Sequence, residues 1–127
     1  MSEPYTFTWH PVENVLEVAL TGLWKIEDIE PYYAALQTFA MAHITGPCQV
    51  LTDLSHYPTQ RPEVADAHAA KLAQVQENSP VQREAWVVTG VVAKMQASRG
   101  AESGETPVNM FNDRESAWAY LRTPLAA

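Results

Sequence analysis

The sequence predicts an α/β fold built on a mixed, mostly parallel sheet. Three observations carry that expectation. Two strand-like segments, YTFTW at 5–9 and VLEVAL at 15–20, are joined by a turn at Pro11, Glu13 and Asn14, so they pair as an antiparallel hairpin. After the hairpin, helical periodicity and short apolar runs alternate, giving the order ββαβαβαβα. A chain of 127 residues that is 46% hydrophobic has the size and composition of one domain with one core, spanning 1–127. Crossovers between its parallel strands are right-handed.

The hairpin ends at Thr21-Gly22. Ile26, Ile29, Tyr33, Leu36 and Ala40 then recur at spacings of three and four, one apolar face of a helix. Pro31 fits because the first-turn N–H groups have no intrahelical partner, which places the regular helix at 28–43 with Asp28 near its N-cap. Thr45-Gly46-Pro47 stops it, and CQVLTDL at 48–54 suits a central strand buried on both faces. The loop SHYPTQR leads to Pro62, well placed at N1 of a second helix. Its inner stripe is Ala65, His68 or Ala69, Leu72 and Val75, and Asn78-Ser79-Pro80 ends it. REAWVVTG at 83–90 reads as a strand and VVAKMQASR at 91–99 as a short helix. GAESGET at 100–106 is a polar loop with two glycines. VNMF at 108–111 is a brief strand. A last helix covers 113–122, with Asn112 and Glu115 at capping-box spacing and Ala117, Trp118 and Leu121 inward.

The net charge of −7, without any basic run, disfavours nucleic acid and anionic membrane surfaces. No stretch approaches the roughly 20 apolar residues of a membrane span, and MSEPYTFTWH lacks the basic and apolar regions of a secretory signal, so a cytoplasmic protein is expected. Cys48 is the sole cysteine and lies in an apolar run, which reads as a buried thiol. The chain has no G-x-S-x-G elbow, no G-x-G-x-x-G, no P-loop, and no His or Cys spacing that binds zinc. Neither a catalytic residue nor a cofactor or metal is therefore expected.

Candidate binding residues fall in three places. Asp53, Ser55, His56, Tyr57 and Thr59 follow the third strand, and open α/β sheets bind ligands beyond the carboxyl ends of strands. The plainer reading of that stretch is an Asx or Ser turn, with Thr59 capping the second helix. Trp24, with Tyr32 and Tyr33 close behind, suits the wall of an apolar pocket as well as ordinary core. Lys94, beside Met95, suits an anion or partner contact, or a solvated cation. His68 reads as a partly buried, hydrogen-bonded histidine, and Glu13/Glu17 and Glu27/Asp28 as solvated charges.

Four stretches, in this order and spacing, carry a family resemblance: VLEVALTGLW at 15–24, VLTDLS at 50–55, VVAKMQ at 91–96 and MFNDRESAWAYL at 110–121. Together they resemble the STAS domain, and more closely the SpoIIAA-like group of small bacterial proteins. The resemblance implies a four- or five-stranded sheet with helices mainly on one side, and a regulatory or interaction module that binds protein partners without catalysis. In anti-sigma-factor antagonists of this fold a phosphorylatable serine starts the second helix. The matching positions 60–63 read Gln-Arg-Pro-Glu, with no hydroxyl and no glycine following, so this chain departs from that switch. Ser55 and Thr59 are the hydroxyls left nearby. The alternative function is a binder of a small lipid-like or other apolar molecule, with its pocket near Trp24, Tyr33 and the 53–59 loop. A two-fold homodimer is compatible with either.

Overall fold

The computed structural model describes residues 4–77, 79–102 and 106–124. Tyr5–His10 (β1) and Val15–Thr21 (β2) pair antiparallel, with Tyr5 opposite Leu20 and His10 opposite Val15. Asn14 closes their turn at φ 55°, a left-handed conformation that asparagine tolerates. A 3₁₀ turn at Ile26–Asp28 feeds helix α1, Ile29–His43. Then follow β3 (Cys48–His56), α2 (Pro62–Gln76), β4 (Val81–Val87), α3 (Val91–Glu102), β5 (Val108–Phe111) and α4 (Arg114–Leu121). The five strands form one mixed sheet in sequential order, parallel from β2 to β5.

Side chains alternate across a strand, and this period of two divides the core. Leu16, Val18, Leu20, Val50, Leu54, Trp86 and Val88 face α1, α2 and α3. Val15, Leu51, Ala85 and Val87 face Ala117, Trp118 and Leu121 of α4. Three helices thus cover one face and one covers the other. β3 is central, with buried residues on both sides, as its short apolar run predicts.

The α4 face is tied down by polar contacts. Arg83 donates from Nη2 to the carbonyls of Tyr120 (3.1 Å), Leu121 (3.2 Å) and Thr123, and from Nε to Gln49 Oε1. These carbonyls lie at the end of α4 or just beyond it, where Thr123 N also donates to Tyr120 and Gln49 Nε2 to Leu121, so a buried guanidinium joins the helix end to the sheet. Glu17, expected as a solvated charge, instead accepts two bonds from Arg114 (2.6 and 2.8 Å) and pairs with His10 (3.0 Å). The Arg114 contact holds the Glu17 carboxyl below the usual carboxylate range. Glu13 pairs with Arg122 at 2.7 Å, so the hairpin and α4 are cross-linked twice.

Several boundaries differ from the sequence expectation. The α4 cap is Asp113, whose Oδ1 accepts from Ser116 N at 2.7 Å, one residue later than the Asn112–Glu115 spacing implied. Helix α2 starts at Pro62 with Arg61 at its N-cap, so Thr59 lies too far upstream to cap it. Ala65, His68, Ala69 and Leu72 of α2 face inward as expected, but the fully buried residues of the helix are Val64 and Gln76, and Val75 is 41% exposed. β3 runs two residues further than expected, to His56, and α3 runs to Glu102. Gly90, at φ 89°, turns the chain from β4 into α3, a conformation that favours glycine. The polar loop expected at 100–106 begins in α3, and its residues 103–105 lie outside the described residues.

Candidate functional site

A cavity of about 650 Å³ lies between the sheet and helices α1, α2 and α3. Alternate residues of β2, β3 and β4, such as Val18, Val50 and Trp86, form its floor. Tyr33 and Leu36 of α1 and Leu72 of α2 form walls. The space stays open because the helices present small residues to it: Ala65 and Ala69 from α2, and Ala93, Ala97 and Gly100 from α3. Protein interiors are close-packed, with few voids larger than a water molecule, so a hollow of this size stands out. Gln37 and Met41 of α1 and Gln74 and Val75 of α2 are exposed and share the lining, which places the mouth along the seam between these helices. A Lys71–Glu30 ion pair (3.2 Å) bridges that seam.

Two polar points stand out in the largely apolar lining. At the first, Glu84 is 5% exposed and accepts from Gln76 Nε2 (2.8 Å) and Trp86 Nε1 (2.9 Å). Burial raises its pKa even so, because removing a carboxylate from water outweighs the two donors. Gln76 is itself buried, and its Oε1 has no partner. At the second, the His68 ring sits among Tyr33 (5.4 Å), Trp24 (5.7 Å), Tyr32 (5.8 Å) and Tyr57 (6.2 Å). Burial pulls its pKa down to about 4, so the ring is neutral at pH 7. Of the hydrogen-bonded histidine expected here, Nδ1 at least is buried without a partner. The His68 carbonyl accepts from the Tyr33 hydroxyl at 3.4 Å. Burial raises the phenol pKa values of Tyr32, Tyr33 and Tyr57, so all three stay protonated. His68 and Gln76 lie eight residues apart on the inward face of α2, about 12 Å along the helix.

This arrangement can hold an apolar body and hydrogen-bond it at two points. It offers no activated thiol, since burial pushes Cys48 up to about 11. Among the described residues no group of three or more His, Cys, Asp or Glu is placed to hold a metal ion. No helix among them is long and apolar enough to cross a membrane.

The structure brings together some of the residues singled out from the sequence. Tyr33, Tyr57 and Thr59 line the cavity. Trp24 backs it, 3% exposed, with its ring 5.1 Å from Tyr32 and 5.8 Å from Tyr57 and its Nε1 donating to the Thr21 carbonyl. Asp53 shares the register of Leu51 and so belongs to the α4 face of β3. Its Oδ1 accepts from Ser55 N at 2.9 Å, the Asx turn of the plainer reading. His56 is exposed and contributes its carbonyl to Gly22 N. Lys94 donates to Asn112 Oδ1 and does not line the cavity.

Gln60, the first residue of the 60–63 segment compared above with the serine of anti-sigma-factor antagonists, is 4% exposed. Its Oε1 accepts from Trp24 N (2.8 Å), and its Nε2 donates to the carbonyls of Gly22 (3.0 Å) and Pro58 (2.8 Å). Its main-chain N–H and C=O are both taken by the Gln96 side chain, at 2.8 and 2.9 Å. The residue thus clamps the segment after β2, the loop after β3 and helix α3 at one end of the cavity. A serine there would be too short to make the side-chain bonds. The sequence marks Gln60 only within the 60–63 departure from a serine, and it assigns Gln76 and Glu84 no role. Of these two, only Glu84 left a signal, as an acidic residue in the same strand register as Trp86 and Val88.

No protein-family model matches the sequence, and no curated protein does. Among solved structures, an uncharacterised protein of the DUF3478 family with a SpoIIAA-like fold, from Shewanella loihica PV-4, is similar to this chain. It is 17% identical, with 95% of this chain and 98% of that chain covered, at a TM-score of 0.70. A likeness at that identity shows the fold.

Proposed function

We propose that this chain, a SpoIIAA-like fold hollowed between its sheet and three of its helices, binds a small apolar molecule without transforming it. The cavity of about 650 Å³ carries this reading. Sites for small molecules span roughly 300–1,000 Å³ and pair an apolar lining with a few placed polar groups. The aromatic cluster around His68 and the Gln76–Glu84 pair supply those groups. Binding of an environment-sensitive apolar dye, together with mass spectrometry of an organic extract of the protein from its native cells, tests the proposal. Ala97→Phe places a ring in the hollow and is expected to weaken dye binding at least about tenfold, a loss of about 1.4 kcal/mol. A variant with native circular dichroism that binds the dye as the parent does would refute the reading.

A second reading, contact with a protein partner or a second copy, rests on the start of α3. Val91, Val92 and Met95 are 77%, 63% and 65% exposed there, an apolar patch on the solvent side of the helix. Native-host pull-downs with Val92→Asp test it. Recovery of the same proteins by parent and variant would remove this patch as the contact.

A further inference from the structure

We propose that the molecule held in this cavity carries a hydrogen-bond-donating head group, a hydroxyl or an amine, seated against Gln76 and Glu84. This rests on the reading of the cavity as a ligand site and adds the polar chemistry of the ligand. Gln76 is only 7% exposed, and its Oε1 is without a partner while its Nε2 is committed to Glu84. A buried acceptor left unpaired destabilises a protein, so a donor arriving at this oxygen relieves a standing cost.

Acceptors also outnumber donors at this end. When ionised, Glu84 offers about four lone-pair sites and uses two of them, on Gln76 Nε2 and Trp86 Nε1. The Trp86 N–H is spent on Glu84, which leaves one N–H of the Gln76 amide. Anionic head groups find no counter-charge here. Lys71 is the cation of the lining, and it is held at the rim by Glu30 at 3.2 Å. Arg83 belongs to the opposite face, on the carbonyls that end α4. Apolar surface centred on Leu72 runs from Gln76 towards His68, about 12 Å along α2, and gives the ligand's body its length.

The two head groups separate by pH. Burial raises the Glu84 pKa, and an ammonium group interacts best with its ionised form. Amine binding therefore strengthens as pH rises through the raised Glu84 pKa, whereas alcohol binding does not.

The test is displacement of a bound apolar dye from the unmodified protein by four probes of equal chain length: decanol, decylamine, decanoate and the methyl ether of decanol. Decanol or decylamine is expected to displace the dye at least about tenfold more effectively than the ether or decanoate. Gln76→Met is expected to bring the probes close to equal while dye binding persists. Ether or decanoate matching the better of the other two would overturn the head-group proposal and leave the cavity reading intact. A dye that does not bind the unmodified protein at all would overturn both. The probe comparison decides alone if the variant does not fold.

Discussion

Acidification tests the burial of His68 directly. Its ring packs among four aromatic side chains, and burial lowers its pKa from 6.5 to about 4. The unfolded chain keeps the ordinary value, so below pH 6.5 it takes up a proton that the folded chain declines. A depressed histidine pKa thus leaves stability intact above pH 6.5 and removes it as pH falls toward 4. At pH 5 the loss is RT ln[(1 + 10^1.5)/(1 + 10^−1)], about 2 kcal/mol, and the whole window is worth about 3 kcal/mol. His68→Phe keeps a ring in place and removes the proton site. Glu84 faces the same cavity and acts in the opposite sense: its raised pKa makes stability fall as pH climbs through its range. That contribution is common to both proteins and cancels in the comparison. Urea unfolding followed by tryptophan fluorescence, at pH 7 and pH 5, measures the difference. On going to pH 5, the parent should lose about 2 kcal/mol more than the variant. Losses equal to within about 0.5 kcal/mol would show that the imidazole is not buried in its neutral form.

Two further predictions concern the polar ties. Gln60→Ala deletes three side-chain hydrogen bonds and should cost about 3 kcal/mol in denaturant unfolding; Gln60→Ser, which restores a hydroxyl, should be no better, and a cost below about 1 kcal/mol would argue against the clamp. Arg83→Met strips the donor from the carbonyls that end α4 and should cost about 2–3 kcal/mol, with faster amide exchange in that helix; unchanged protection there would mean that α4 is held by packing alone.

The order of elements was legible because punctuation is local. Pro62, Thr45-Gly46-Pro47 and the period-two runs speak to their own neighbourhoods, and the SpoIIAA-like resemblance drew on the same segments. The α4 cap was placed one residue early because Asn112 and Asp113 are both good caps. The choice falls to the carboxylate that reaches Ser116 N, since Asn112 is engaged by Lys94. The inner stripe of α2 was misread at its end because apolarity points to Val75, while the phase of the helix turns Gln76 inward. Aromatic residues at 24, 33 and 57 hinted at a pocket. The hollow itself had no signature, because it is the sum of small residues at 65, 69, 93, 97 and 100 on two helices that meet over the sheet only in three dimensions. The partnerless oxygen of Gln76 is likewise a property of its surroundings and of no residue pattern.

Arg83 and Glu84 are consecutive residues that never share an environment. Strand alternation sends the guanidinium to α4, where it locks a helix, and the carboxyl to the cavity. Parity along β4 therefore separates two kinds of selection. Substitutions at 84, 86 and 88 alter what the hollow can accept, while 83, 85 and 87 keep the opposite layer shut. The lining of the hollow can therefore change along one face of a strand while the other face holds the architecture constant.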